Sequence, residues 1–244
     1  MSSKKIALIT GGNRGIGYET ARELGARGYK VVIGARDPAK AEQAIATLRA
    51  SGVDAEAIAY DARRPGSEKA VLDELTKRYG KLDVLVNNAG VLQEPLLGAS
   101  VLSVDDAVIE DTFAVNVFAV VRLTRTLLPL LEKSEAGRIV NVSSVLGSLT
   151  VHSAEGSPIA QAKSFAYNAS KSALNAFTVH LADALKGTAI KVNSVHPGWV
   201  KTELGGAHAT DEVEGSGKTS ARLATIGSDG PNGGFFHGDA ALPW

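Results

Sequence analysis

Short apolar runs alternate with longer amphipathic segments along almost the whole chain. An apolar run bounded by polar or glycine positions predicts a strand that is buried on both sides. Such runs occupy residues 6–10, 31–35, 55–60, 82–86, 138–142, 190–195 and 234–236. Helical spacing of the apolar positions marks residues 15–28, 37–51, 67–79, 105–131, 165–185 and part of 212–226. This alternation predicts an α/β fold, with a doubly wound parallel sheet and helices on both faces.

The chain shows no change of composition, no linker and no internal repeat that would divide it. We therefore expect residues 1–244 to form a single domain. Residues 203–217 are rich in glycine and other small residues and hold few large apolar side chains. This composition is typical of a loop that becomes ordered when a ligand binds, so we predict a substrate lid there. A simple connecting loop is the alternative.

Charge and composition exclude several classes of function. The 26 Lys and Arg residues balance the 26 Asp and Glu residues, so net charge offers no attraction to nucleic acid or to an anionic membrane. We expect neither as a partner. The sequence has no cysteine, which excludes disulfides, Cys-ligated zinc, iron–sulfur clusters and a cysteine nucleophile. The five histidines lack the spacing of metal ligands, and we predict no metal site.

No targeting segment is visible at the start of the chain. The first apolar stretch is too short for the core of a signal peptide. No apolar run approaches the ~18 residues of a membrane span. A cytoplasmic location is therefore expected.

A glycine-rich turn joins the first predicted strand to the first predicted helix. Residues 10–17 read Thr-Gly-Gly-Asn-Arg-Gly-Ile-Gly. Glycines allow a sharp turn and a close approach of the backbone to a pyrophosphate, and the helix N-terminus offers free N–H groups to the anion. An ordinary tight turn is the alternative. The predicted dinucleotide contacts in this turn are Gly11, Asn13, Arg14, Gly15, Ile16 and Gly17.

Three further motifs follow in order: Asn-Asn-Ala-Gly at 87–90, Tyr-Asn-Ala-Ser-Lys at 167–171 and Pro-Gly at 197–198. With the Thr-Gly-x-x-x-Gly-x-Gly pattern at 10–17, their order and spacing resemble the short-chain dehydrogenase/reductase family over nearly the whole chain. The Ala-Arg-Asp at 35–37 and the end of the chain are most similar to the carbonyl-reductase branch of that family. The resemblance implies a Rossmann fold and an NADP-dependent oxidoreductase of the carbonyl reductase or alcohol dehydrogenase type.

The tip of the second predicted strand distinguishes the two nicotinamide cofactors. An acid there binds the ribose 2′-hydroxyl of NAD, and a basic residue pairs with the 2′-phosphate of NADP. Asp37 follows the glycine turn at a spacing typical of NAD, but an aspartate just before a proline is better explained as the N-cap of the next helix. The resemblance puts the NAD-type acid at Ala35 instead. Arg36, with Arg14 from the glycine turn, therefore predicts NADP (NADPH) as cofactor, with solvated surface arginines as the alternative.

The resemblance also implies cofactor contacts at the ends of other strands. For the asparagine pair at 87–88, a plain strand-end turn is the alternative. The implied contacts are Asp61 and Ala62 at the adenine, Asn88, Ala89 and Gly90 along the cofactor, and Pro197, Gly198, Val200 and Thr202 near the nicotinamide.

Tyr167 and Lys171 are four residues apart on a predicted helix, so both side chains lie on one face. A free phenol has a pKa of ~10, and we expect the Lys171 ammonium to lower the pKa of Tyr167. Tyr167 would then donate a proton to a carbonyl oxygen during reduction and accept it during oxidation. By the resemblance, both residues also contact the cofactor, with Lys171 on the nicotinamide ribose. A plain helix surface is the alternative.

Two more candidate catalytic residues follow from the resemblance. Ser144 would hydrogen-bond the substrate oxygen at the end of the fifth predicted strand, with its neighbour Ser143 as the fallback. Asn116 is a polar amide in an apolar helical stretch, where a buried side chain needs partners. The resemblance makes it the helix asparagine that positions a proton-relaying water, and a satisfied core asparagine is the alternative.

The substrate is expected to be a small carbonyl compound or its alcohol. The pocket should lie between residues 146–164 and 203–217. Because the available lining is apolar and holds no arginine clamp, we predict an uncharged, fairly hydrophobic aldehyde or ketone. The expected lining residues are Leu92, Leu146, Leu149, Val151, Trp199 and Leu204.

Two other functions stay open from the sequence. A noncatalytic NADP-binding regulator that senses redox state would need the glycine turn but not the catalytic set. A sugar epimerase or dehydratase would keep the tyrosine and lysine but have a longer C-terminal portion. The spacing of 23 residues from Ser144 to Tyr167 is long for the family, so a homo-oligomer is left open beside a monomer.

Overall fold

The computed structural model describes residues 4–244. Within them, eight strands form one sheet in the order β3-β2-β1-β4-β5-β6-β7-β8. All neighbours are parallel except β7 and β8, which are antiparallel. The strands are β1 (Ile6–Thr10), β2 (Lys30–Ala35), β3 (Ala55–Ala59), β4 (Val84–Asn87), β5 (Arg138–Val142), β6 (Lys191–Val195), β7 (Phe235–His237) and β8 (Ala240–Ala241). The predicted doubly wound parallel sheet is confirmed.

Helices cover both faces of the sheet. They are α1 (Gly15–Ala26), α2 (Pro38–Ala50), α3 (Ser67–Arg78), α4 (Asp106–Phe113), α5 (Ala119–Leu131), α6 (Leu149–Ser153), α7 (Phe165–Ala184) and α8 (Lys218–Leu223). One apolar cluster joins the sheet to α1, α2 and α8, and the other joins it to α3, α5 and α7. Ile9 belongs to the first cluster and Leu8 to the second, because successive residues of a strand point to opposite faces.

The predicted helix at residues 105–131 is divided in the structure. A π-helical turn over Ala114–Phe118 joins α4 to α5. The run Asp106–Leu131 is long and apolar enough, by length and composition alone, to cross a membrane, but 56% of its most apolar window is buried inside the protein. A mostly buried apolar helix is what the core of a two-sided α/β sheet requires.

Two short elements were not predicted. Helix α6 follows a short 3₁₀ turn at Val145–Gly147, and β8 folds back on β7 near the end of the chain. The Thr150 N–H donates to the Trp244 carbonyl over 2.9 Å. Contacts between residues so far apart in the chain produce no periodic pattern of apolar positions, so the sequence of these short segments did not indicate them.

The strand order reverses beside β1. From β1 the chain adds β2 and β3 on one side, and it then crosses to place β4 on the other side. In open parallel sheets, ligands bind at the carboxyl ends of the strands where the order reverses. The glycine turn, which follows β1, lies at this point.

Candidate active site

A large cleft of about 1120 Å³ opens at the carboxyl ends of the strands. Every residue that the sequence predicted to contact the cofactor lines it, as does Ser144. Asn116 does not line the cleft and lies buried beneath it. The topology therefore brings together motifs that are far apart in the chain.

The glycine turn packs closely against the end of β4. A Cβ on Gly17 would overlap the Asn88 amide and the Gly11 carbonyl. The same Asn88 amide donates to the Thr10 carbonyl over 2.9 Å. Helix α1 begins at Gly15 with no side-chain cap and no acid in its first turn. Its free N–H groups thus fit the phosphates of a dinucleotide.

The tip of β2 separates the roles of its two charged residues. The Asp37 carboxylate accepts hydrogen bonds from Ala39 N at 3.0 Å and Lys40 N at 3.2 Å, so it caps α2. Arg36 lines the cleft and forms no ion pair with any of residues 4–244. An aspartate whose carboxylate is used as a cap is poorly placed for the ribose hydroxyls of NAD. The free guanidinium of Arg36 suits a phosphate.

Arg14, which was expected to contact the cofactor phosphate, has a partner within the protein. Its guanidinium pairs with the carboxylate of Glu203, from the predicted lid segment, across the cleft. Both side chains are largely exposed, so the pair is weak and open to competition. Arg14 therefore reaches a phosphate only by exchanging this partner.

Tyr167, Ser144 and Lys171 lie together at the buried end of the cleft. Burial raises the pKa of Tyr167 to about 12, while the nearby Ser144 side chain opposes that rise. The Lys171 ammonium donates to the Val142 carbonyl over 2.8 Å, and burial lowers the pKa of Lys171 to about 8.

The expectation that Lys171 lowers the pKa of Tyr167 is therefore wrong for this structure. Removal from water disfavours the charged form of both groups. The Lys171 ammonium is also directed to a main-chain oxygen and not to the phenol oxygen. Tyr167 is consequently held as a neutral phenol.

The two serines after β5 point in different directions. Ser144 lines the cleft, and its Oγ accepts a hydrogen bond from Leu146 N. Ser143 Oγ donates to the Lys171 carbonyl over 3.4 Å, toward the backbone of α7. The geometry favours Ser144 as the substrate contact.

Asn116 lies in the π-helical turn, and such turns occur often at functional sites. Its amide donates to the Val91 carbonyl over 2.9 Å and to Ser170 Oγ over 3.0 Å, and it accepts from Val91 N over 2.8 Å. A Cβ on Gly90 would lie 3.3 Å from Asn116 Oδ1 and 3.6 Å from Lys171 Nζ. Asn116 thus anchors the chain directly after β4, beside Lys171.

The loop after β6 completes the cleft. Trp199 N donates to the Asp211 carboxylate over 2.8 Å. Gly198 has a φ of 101°, and a Cβ there would overlap that carboxylate. The Thr202 methyl lies 3.1 Å from the position of a Cβ on Gly15, so this loop meets the glycine turn across the cofactor region.

Comparison with known proteins identifies the family. The sequence profile described as short chain dehydrogenase matches residues 5–213. The chain belongs to the short-chain dehydrogenase family. The predicted family, with its Rossmann fold, is thereby confirmed.

Individual relatives include reductases of several kinds. The chain is 37% identical over 205 residues to a putative ketoacyl reductase of the monensin polyketide synthase from Streptomyces virginiae, covering 83% of this chain and 73% of the relative. It is 31% identical to carbonyl reductase (NADPH) 1 of Mus musculus, covering 100% of this chain and 99% of the relative. The structure of the carbonyl reductase Sniffer of D. melanogaster matches with a TM-score of 0.85 at 29% identity, covering 100% of both chains.

In this family member the substrate side of the cleft differs in part from the expected lining. Leu92, Leu146, Trp199 and Leu204 line it as predicted. Leu149 and Val151 do not, because α6 turns away from the cleft and leaves Leu149 exposed.

The segments 91–97 and 157–162 also form walls of the cleft: in the first only Leu92 was predicted, and the second lies within the predicted boundary 146–164. The rule that ligands bind at the carboxyl ends of strands could have indicated 91–97, which follows the Asn-Asn-Ala-Gly motif. No residue of 157–162 was predicted individually, because the segment has no motif of its own.

The predicted lid is tied down at several points. Lys201 N donates to the Asp211 carbonyl over 2.8 Å, Trp199 Nε1 donates to the Gly205 carbonyl over 2.9 Å, and Gly215 N donates to the Glu19 carboxylate over 3.0 Å. Only its ends near Glu203 and Val213 reach the cleft. A movable lid stays a prediction, confined by these bonds to the segment between Glu203 and Asp211.

Proposed function

We propose that the protein reduces uncharged, hydrophobic aldehydes or ketones to alcohols, reversibly, with NADPH as cofactor. The proposal rests mainly on the buried Tyr167 phenol, which lines the same end of a dinucleotide-sized cleft as Ser144 and lies one helical turn from Lys171. A proton donor and an oxygen-holding hydroxyl at one point are what carbonyl reduction requires.

The choice of NADPH rests on the tip of β2. Arg36 offers a guanidinium that pairs with no acid in the described part of the chain, and Asp37 is occupied as a helix cap. A guanidinium binds phosphate through forked donors. The likeness to a mouse carbonyl reductase named for NADPH supports the same choice.

Each residue of the site has one role in the proposed carbonyl reduction. When bound, NADPH supplies the hydride for the carbonyl carbon. Ser144 Oγ hydrogen-bonds the carbonyl oxygen, and Tyr167 gives its proton to that oxygen, so that C=O becomes an alcohol. The resulting phenolate regains a proton from solvent by way of Lys171. Asn116 holds Val91 and so supports the wall of the site, and its role in positioning a relay water remains a prediction.

The substrate class follows from the pocket wall. The lining residues from 91–97 and 157–162 include no lysine or arginine, so a carboxylate or phosphate on the substrate would be desolvated without a partner. An apolar carbonyl compound avoids this cost. We also propose a cytoplasmic location, because the proposed reaction needs no contact with a membrane.

The test is NADPH and NADH oxidation with a panel of aromatic and aliphatic carbonyl compounds. Tyr167→Phe should lower kcat at least ~100-fold while leaving NADPH affinity unchanged, because only the transferable proton is removed. Tyr79→Phe is the matched control, since Tyr79 lies outside the cleft and bonds Glu56. NADPH binding without turnover of any carbonyl compound would instead indicate the redox-sensing regulator.

A further inference from the structure

The start of α7 donates two hydrogen bonds to residues 94 and 95. Ser164 is the N-cap of α7, yet its side chain makes no capping bond. Its hydroxyl donates instead to the Pro95 carbonyl over 2.7 Å. The N–H of Tyr167 donates to the Glu94 carboxylate over 3.0 Å. We call these two bonds the Glu94–Ser164 clasp.

We propose that Glu94 is a positioning residue for Tyr167, acting through this clasp. The inference rests on the proposed function, because it concerns the placement of the proposed proton donor. Glu94 does not line the cleft, so it acts through the helix and not by contact with substrate. The carboxylate bonds the main-chain N–H of the very residue whose phenol reacts.

The charge of Glu94 suits this place. Tyr167 occupies the first turn of α7, where N–H groups lack helical partners and where the helix dipole favours a negative charge. Glu94 Oε1 is buried and accepts no hydrogen bond from any group within 4–244. A carboxylate oxygen that is buried without a partner is costly, and its place beside the start of α7 is explained if the helix N-terminus needs the carboxylate.

The clasp also couples Tyr167 to the substrate wall. Glu94 and Pro95 belong to the segment 91–97, which forms one side of the pocket. Asn116 bonds Val91 at the start of this segment, and the clasp holds its other part. The two bonds of the Glu94–Ser164 clasp thus join the wall that places the substrate carbonyl to the helix that places the proton donor.

Loss of the carboxylate should therefore misplace the reacting groups. Without Glu94, the Tyr167 N–H has no acceptor and the first turn of α7 loosens. Displacements of about 1 Å can cost on the order of 100-fold in rate. We expect Glu94→Ala to lower kcat by ~10- to 100-fold and to leave the KM for NADPH within about twofold, since the glycine turn and Arg36 are untouched.

The experiment compares Glu94→Ala, Glu94→Gln, Ser164→Ala and the double variant Glu94→Ala/Ser164→Ala with the intact protein. Steady-state kinetics with NADPH and the best carbonyl substrate give kcat and KM, and amide hydrogen exchange reports on the Tyr167 N–H. The matched control is Glu68→Ala, which removes a carboxylate that accepts from Gly66 N at the start of α3, outside the cleft. The glutamine variant keeps an oxygen acceptor and should restore most of kcat.

The expected result is faster exchange at Tyr167 and lower kcat in Glu94→Ala and Ser164→Ala, with the double variant little worse than either single one. Glu68→Ala should lose comparable thermal stability without loss of kcat. If Glu94→Ala keeps kcat within about twofold of Glu68→Ala, or if Glu94→Gln is as slow as Glu94→Ala, the positioning role is rejected. If the unaltered protein turns over no carbonyl compound, the proposed function itself is rejected. This outcome is visible before any variant is compared.

Discussion

The Lys171 ammonium lies 5.6 Å from the centre of the Tyr167 ring and donates its hydrogen bond to the Val142 carbonyl. The two groups are therefore neighbours without being directly bonded. Burial raises the pKa of Tyr167 to about 12 and lowers that of Lys171 to about 8. Of the two, the lysine changes charge closer to neutral pH.

This order of titration predicts the pH dependence of carbonyl reduction. Lys171 is charged below about pH 8 and neutral above it, whereas Tyr167 keeps its proton through this range. We expect kcat for reduction to fall as the pH rises through about 8, because the neutral amine has no proton to pass to the phenolate that Tyr167 becomes after proton transfer.

The measurement is kcat from about pH 6 to about pH 10, a range that brackets the titration of the lowered lysine. Lys171→Arg is the informative comparison, since a guanidinium does not titrate over this range and the fall near pH 8 should disappear. A rate for the unaltered protein that is constant over this range would contradict the assignment.

Cofactor preference should depend on Arg36. We expect Arg36→Asp to lower kcat/KM for NADPH by ~10- to 100-fold and to shift preference toward NADH, because an arginine–phosphate contact is worth ~1.5–3 kcal/mol and the new carboxylate repels the phosphate. The ratio of kcat/KM for the two cofactors checks this. Arg125→Asp makes the same change of charge on an exposed part of α5 and should leave the ratio unaltered. Equal effects of both variants would refute a direct contact between Arg36 and the cofactor phosphate.

The Arg14–Glu203 ion pair should compete with the cofactor. We expect Glu203→Gln to tighten NADPH binding by less than about fivefold, because an exposed ion pair is worth only ~0–1 kcal/mol. Titration of NADPH fluorescence at low and high salt gives the dissociation constants, and the gain should shrink at high salt. Glu42→Gln, on the exposed side of α2, controls for net charge. Weaker binding in Glu203→Gln would show that Glu203 assists the cofactor instead.

Most strands and helices could be predicted because their signal is local. A parallel sheet covered on both faces produces continuous apolar runs, and both Leu8 and Ile9 are fully buried in β1 as that pattern requires. Ends were less certain, since β4 runs over Val84–Asn87 where residues 82–86 were predicted. The short elements α6 and β8 could not be found, because contacts such as Thr150 with Trp244 create them.

The sequence by itself determined the family, the order of strands and helices, the glycine turn and the pairing of Tyr167 with Lys171 on one helix face, because each depends on residues close together in the chain. Only the tertiary structure decided the burial of Tyr167, the partner of Arg14 and the contact of Glu94 with α7. Arg14 and Glu203 are 189 positions apart and Glu94 and Tyr167 are 73 apart. Burial and long-range hydrogen bonds arise only when the folded chain brings such residues together and removes water from them, and no local pattern of residues contains that information.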